Sequence, residues 1–264
     1  MVIIDINKLA EGAATALEAV PELYEDVAQP AAKETGKTVA LIPRAINAAL
    51  LPLQQWILER EYKLSEIEKL LSKKLEQVGE EKIVTPEAYV GVPALQAISY
   101  SMDNEELKNL YANLLAKAMN IDTKDFVHPA FVDLIKQMSP IDAVIIKEIN
   151  QADITPVIHI FKKEPDNVGQ HPIITHITWL TNFTGDLISV SLDNLIRLGL
   201  IEIPNDIFYT HTENYDRVKN TPYYKLMYTV VKSTLTDGQE IGENNSYIKI
   251  TQFAKLFYDI CIKD

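Results

Sequence analysis

The sequence has a single cysteine, no strongly basic segment, and no uninterrupted apolar run long enough to span a bilayer. With Cys261 alone, no disulfide can form within the chain, which is typical of a reducing compartment. The first residues, MVIIDINKLAEG, lack the basic start and apolar run of a secretory signal. We therefore expect a cytoplasmic protein.

The acidic residues are spread along the whole chain. The net charge is −12 over 264 residues, and the 47% of hydrophobic residues is enough for a sizeable core. Residues 1–38 contain 3 lysines against 7 acidic residues, and residues 139–264 contain 11 basic against 16 acidic residues. Because proteins bind phosphates mainly through Lys and Arg, this charge argues against general affinity for nucleic acid.

Residues 38–58 are the most apolar part of the chain, and their apolar side chains recur at helical spacing. Arg44, Pro43 and Pro52 interrupt the stretch, which argues against a membrane-spanning helix. A helix that buries its apolar face in the core and a segment that docks on a membrane surface both fit the pattern. If the segment contacts a partner or a membrane, the candidate residues are Ile42, Arg44, Ile46, Leu50, Leu53 and Trp56.

The N-terminal half is predicted to be helical. Residues 8–34 are expected to form short helical stretches interrupted by prolines, and residues 53–78 a long amphipathic helix with alternating charges on its outer face. That helix could pack on a second copy, so a homodimer is one candidate assembly. Residues 79–93 are expected to form a connector, and Asp103 is expected to cap the helix after residue 101.

The pattern changes at Ser139, where Ser, Pro and an acid mark a helix start. We place a domain boundary there, giving a helical domain (1–138) and a C-terminal α+β domain (139–264). In the second domain, residues 191–203 are expected to form a helix that ends at Gly199 and runs into a strand, followed by strands at 224–235 and 246–250 and a closing helix capped by Thr251. The expected fold is mainly α (α+β overall), with a winged-helix-like C-terminal domain.

No segment predicts an enzyme site or a cofactor. Gly36–Lys37–Thr38 lacks the first glycine and the preceding strand of a phosphate-binding loop. Asp122, Asp125 and His128 fit a polar loop between helices better than a metal site. There is no nucleophile elbow, and Cys261 lies among apolar residues. We expect no cofactor and no catalysis, and an enzyme such as a nuclease, with its site built from scattered acids, is kept as an alternative.

A winged-helix domain would also allow DNA binding. The helix at 191–203 offers Asn194 and Arg197 for base contacts, with the acidic Asp193 beside them. The segments that would form the wing contain four bases, which six acids offset. A transcriptional regulator is therefore a second alternative, and we expect the domain to contact protein rather than DNA.

Four separated segments together resemble the Abi-alpha family, a bacterial family named for a proposed role in abortive infection. They are YEDVAQPAAKETGKT (24–38), YANLLAKAMN (111–120), HPAFVDLIKQMSPIDA (128–143) and SLDNLIRLGLIEI (191–203). The resemblance implies a role in defence against phage and supplies no catalytic residues. Combined with the residues above, it suggests a defence protein that acts through a protein partner, or through peripheral contact with the inner face of the membrane.

Overall fold

The computed structural model describes residues 41–54, 64–165, 170–180, 182–205 and 207–263. This part of the chain is mainly helical with a small antiparallel sheet, which confirms the expected class. The helices are α1 (Leu41–Gln54), α2 (Leu64–Lys74), α3 (Ala88–Tyr100), α4 (Glu105–Ala118), α5 (Ala130–Lys136), α6 (Pro140–Gln151), α7 (Gly185–Arg197), α8 (Asp216–Lys219), α9 (Pro222–Ser233) and α10 (Gln252–Phe257). The strands are β1 (Pro156–Lys163), β2 (Gln170–Thr178), β3 (Ile201–Glu202), β4 (Glu240–Tyr247) and β5 (Lys249–Ile250).

The start of α6 confirms the predicted helix signal. The Ser139 hydroxyl accepts a hydrogen bond from the Asp142 amide at 3.2 Å, and an Asp142 carboxylate oxygen accepts one from the Ser139 amide at 2.6 Å. These reciprocal bonds satisfy amides that have no partner inside the helix. Thr251 caps α10 in a related way, accepting from the Ala254 amide at 3.0 Å, as predicted.

Two helix starts in the N-terminal half differ from the prediction. The cap of α4 is Asn104, which accepts from the Leu107 amide at 3.0 Å, and not Asp103. Helix α3 begins at Ala88, inside the predicted connector, and contains Pro93. Because α3 buries one continuous apolar face, this packing outweighs the backbone hydrogen bond that the proline cannot donate. Of the predicted long helix over 53–78, residues 55–63 lie outside the described part.

Gly199 ends α7 as predicted. Its φ of +70° is the left-handed conformation that glycine adopts without strain. The Gly199 amide donates to the carbonyl of Ile196 at 2.9 Å, and the Leu200 amide to that of Leu195 at 3.0 Å, which is a Schellman motif. The chain then enters β3, which pairs with β5.

Strand β1 is the centre of the three-stranded sheet, with β2 and β4 antiparallel on either side. Its pairing with β4 is regular, whereas its register with β2 shifts around Ile160. At that irregularity His176 adopts a φ of +59°, which is uncommon for a residue other than glycine. Helix α9 covers one face of the sheet, where buried Tyr224 and Val231 meet Ile158 and Ile177.

The predicted strand at 224–235 is wrong, because that segment lies in helix α9. The sequence carried a helix signal that the run of β-branched residues concealed: Thr221 accepts from the Tyr224 amide at 3.2 Å, and Pro222 occupies the first helical position. Residues 224–235 therefore do not form a strand of the hairpin from which a wing was inferred, and β3 pairs with β5. The winged-helix interpretation remains a prediction.

One buried apolar cluster extends from α1 to the C-terminal turn that follows α10. In it, Phe131 of α5 contacts Phe253 and Phe257 of α10, at ring-centre distances of 5.3 and 5.4 Å. The Asn113 side chain of α4 donates to the carbonyl of Cys261 at 3.0 Å. The C-terminus is thus held against the N-terminal helices, while the division into domains 1–138 and 139–264 stays a prediction.

Candidate interaction surface

A cavity of about 480 Å³ lies where the end of β2 and the first turns of α7 and α9 meet. Its size is in the range of binding pockets for small ligands or for single side chains. Its wall is mostly apolar, and its larger lining residues are His176, Leu180, Phe183, Ile188, Tyr223 and Met227.

Tyr223 closes one side of the cavity by lying against Gly185. A Cβ atom at Gly185 would be 2.2 Å from the Tyr223 ring, so only glycine permits this approach. The Tyr223 hydroxyl donates to Asp186 at 2.7 Å. Burial, and next the hydrogen bond to Asp186, raise the pKa of Tyr223 to about 12. The two helix starts are therefore fixed together at the mouth of the cavity, with the tyrosine neutral.

His176 also lines the cavity, and it lies beside His159 of β1. The His176 amide donates to Nδ1 of His159 at 3.4 Å, and the two ring centres are 5.2 Å apart. Burial, and next the neighbouring His176, lower the pKa of His159 to about 4. Burial also lowers the pKa of His176, although Asp193, 2.9 Å from its Nδ1, acts in the opposite direction. Both imidazoles are therefore uncharged at neutral pH.

The outer face of α9 continues the apolar wall into solvent. Pro222, Leu226 and Val230 follow one another at intervals of four residues, and Leu226 and Val230 are 56% and 45% exposed. Residues at this spacing share one side of a helix, so they form a stripe. Tyr223 and Met227 lie one position further round and enter the cavity wall.

Two lysines flank this stripe. Lys225 and Lys232 are exposed, α9 contains no acidic residue, and within the described ranges neither lysine forms an ion pair. Lys219, just before α9, is in contrast held by Glu243 at 2.6 Å. We call Tyr223, Lys225, Leu226, Met227, Val230 and Lys232 the α9 surface. It is an apolar, locally basic surface on a chain with a net charge of −12.

The residues predicted for partner or membrane contact at 38–58 do not lie together on the surface. Ile46 and Leu50 are buried in the core, with 0% and 1% exposure, whereas Arg44 is exposed. Trp56 and the side chains of Ile42 and Leu53 lie outside the described residues. Contact through Ile46 or Leu50 would require α1 to leave the core. In the described ranges, no helix is both long and apolar enough to cross a bilayer.

Asn194 and Arg197, the candidate DNA-reading residues, are engaged within the protein. Asn194 donates to the Gln137 carbonyl at 3.1 Å and to the Asp142 carboxylate at 2.9 Å. Arg197 donates to the side chains of Asn194 and Gln137, at 2.7 to 3.0 Å. These bonds hold α7 against the turn between α5 and α6, so base contacts would have to replace them.

The other candidates for chemistry contact different parts of the protein. Asp122 forms an ion pair with Lys82 at 2.8 Å, and the His128 ring lies against Phe131 and Phe253. Cys261 is buried, as expected, and burial raises the pKa of its thiol. Among the residues that the structure describes, no group of three or more His, Cys, Asp or Glu could hold a metal ion.

Sequence reasoning missed both the cavity and the α9 surface. The cavity joins residues 176–188 to residues 221–227, which only the fold brings together. A correct helix assignment for 222–233 would have shown the apolar stripe and its lysines, although not the cavity.

Comparison with known proteins identifies a family for the chain. No curated protein and no solved structure matches the chain significantly. The family profile described as abortive infection alpha matches residues 59–261, which is most of the chain. The chain therefore belongs to the abortive infection alpha family.

Proposed function

We propose that this protein acts in abortive-infection defence against phage by binding a protein partner through the α9 surface, without catalysing a reaction. The observation that carries the proposal is the exposed stripe of Leu226 and Val230 beside an apolar cavity. Family membership supports the defence role.

The α9 surface has the properties of a binding site for an acidic, partly apolar protein segment. Interfaces draw most of their affinity from a few large side chains that fill pockets, and the cavity is large enough to accept one. Lys225 and Lys232 would attract and orient an acidic partner, which mainly raises the association rate. A partner of the same basic character would be repelled.

The state of the polar groups around the cavity supports binding rather than catalysis. Asp186 is occupied by Tyr223, and the Thr221 hydroxyl donates to the Val218 carbonyl at 2.7 Å. Thr178, another hydroxyl of the wall, donates to the Pro156 carbonyl at 3.0 Å. A catalytic base or nucleophile needs a free polar atom aimed at the substrate, whereas these three side chains are already engaged in hydrogen bonds within the protein.

The experiment is inducible expression in a phage-sensitive bacterium, with plaque counts and cell survival measured across a panel of phages. We expect the wild-type chain to reduce plaque numbers for at least one phage and the double variant Leu226→Asp/Val230→Asp to lose this protection. The matched control is Ile121→Asp/Phe126→Asp, which charges two apolar residues that are exposed elsewhere, at 48% and 62%.

Equal protein levels must be shown by immunoblotting, so that loss of protection reflects the surface and not degradation. If the Leu226→Asp/Val230→Asp variant protects as well as wild type, the α9 surface is not the binding site. A second copy of the chain is the alternative partner. Light scattering of purified wild type and variant over a range of concentrations tests this alternative. If a second copy binds the α9 surface, wild type forms a dimer and the variant does not.

A further inference from the structure

We propose that the acidic segment 17–27 of the same chain docks on the α9 surface and covers it until a partner displaces it. This inference rests on the proposed function, because it describes how access to the same surface is controlled. The α9 surface is apolar and basic, and no described residue covers it. Segment 17–27 of the same molecule is apolar and acidic.

The two sequences are complementary in charge. Segment 17–27, LEAVPELYEDV, contains four acidic residues and no basic one, whereas α9, PYYKLMYTVVKS, contains two lysines and no acid. The acids of segment 17–27 are interspersed with its larger apolar residues, Leu17, Val20, Leu23, Tyr24 and Val27. The segment can therefore offer carboxylates to Lys225 and Lys232 and an apolar side chain to Leu226 and the cavity.

Charge also disfavours a second copy as the cover. Two α9 surfaces related by a twofold axis would bring the lysines of one copy towards those of the other, because such an interface uses the same patch on both sides. Like charges at close range oppose association, and no acid on α9 would compensate for them.

The tether between segment 17–27 and α1 is about as long as a folded domain of this size is wide. Thirteen residues separate Val27 from Leu41, where α1 begins, and at about 3.3 Å for each step along an extended chain they can span roughly 45 Å. A folded domain of this size has a radius of gyration of about 17 Å, so this reach is comparable with its full width. A tether also sets an effective concentration in the millimolar range, so weak complementarity is enough for docking.

The test is carbodiimide coupling on the purified full-length protein, which joins a lysine directly to a carboxylate that it contacts. Linked peptides are identified by mass spectrometry in a mixture of ¹⁴N- and ¹⁵N-labelled protein, which separates links within one copy from links between copies. We expect links within one copy from Lys225 or Lys232 to Glu18, Glu22, Glu25 or Asp26.

The variant Leu226→Asp/Val230→Asp keeps both lysines but removes the apolar contact and adds repulsion. The yield of cross-linked peptides from this variant should fall by at least about tenfold, because Leu226 and Val230 no longer bury apolar surface against the segment. The control Ile121→Asp/Phe126→Asp should keep the wild-type yield. Because both variants change only exposed side chains, circular dichroism should show the same fold for each.

Three results would overturn the proposal: no link from the α9 lysines to segment 17–27, links only between differently labelled copies, or links that the Leu226→Asp/Val230→Asp variant leaves unchanged. The second result would identify another copy as the cover. The test is independent of the phage experiment. If the charged variant loses protection but wild type shows no link within one copy, the cover is wrong and the binding surface stands. If links form but the charged variant still protects, the proposed function is wrong.

Discussion

Replacing Asp142 with alanine should lower the free energy of unfolding by about 3–4 kcal/mol. The Asp142 side chain is 2% exposed and accepts hydrogen bonds from the Ser139 amide, the Ser191 hydroxyl and the Asn194 amide group. Each bond to a charged acceptor contributes roughly 1.5 kcal/mol or more. The sum is reduced because Ser139 and Asn194 lie near enough to the surface to regain water.

The assay is urea unfolding followed by circular dichroism, with the slope of the transition compared between variants. Asp142→Asn keeps the volume but removes the charge and replaces one acceptor oxygen by an NH2 group, so we expect a loss of about 2 kcal/mol. Asp125→Ala, at an exposed acid of a neighbouring loop, should change stability by no more than about 0.5 kcal/mol. A loss below about 1 kcal/mol for Asp142→Ala at unchanged slope would refute the view that this carboxylate joins α6 to α7.

Two further predictions concern the sides of the cavity. Gly185→Ala should lower the free energy of unfolding by about 1–3 kcal/mol, because the new methyl group would overlap the Tyr223 ring. Urea unfolding measures this change. An unchanged midpoint would show that the Tyr223 ring moves away freely. Folding stability should also fall as the pH is lowered from about 6.5 towards 4, because the unfolded chain binds a proton at His159 that the folded chain binds only near pH 4. Above pH 6.5 His159 is neutral in both states and does not make the free energy of unfolding depend on pH. His159→Gln should remove part of the loss of stability that wild type shows between pH 6.5 and 4. If the variant loses as much stability as wild type, His159 is not the cause.

The features that could be predicted from the sequence are those encoded by neighbouring residues. The capping box of Ser139 and Asp142, the glycine end of α7 at Gly199 and the cap at Thr251 each need only a few adjacent side chains and the intrinsic geometry of a helix end. Such signals stay valid in most tertiary contexts, because an unpaired helix terminus must be satisfied wherever the helix lies.

The predictions failed where packing between distant segments decides the structure. Residues 224–235 are rich in strand-forming side chains, yet α9 forms because Tyr224 and Val231, one helical face, meet the sheet. Strand β1 supplies the other side of that contact, and its pairing with β4 joins residues more than 75 positions apart. Propensity within a short window carries no information about such partners, so the helix signal of Thr221 and Pro222 was outweighed.

The same limit explains why the candidate site moved from residues 38–58 to α9. A helical period shows which face of a helix is apolar, but it does not show what covers that face. For α1 the cover is the core, since Ile46 and Leu50 are buried there, and the exposed Arg44 lies on the outer side. For α9 the sheet covers the side of Tyr224 and Val231, whereas Leu226 and Val230 are exposed, next to lysines that form no ion pair within the described ranges. Exposing such a stripe to water costs free energy, which favours any segment that covers it. In our proposal the acidic N-terminal segment and a partner therefore compete for the same surface.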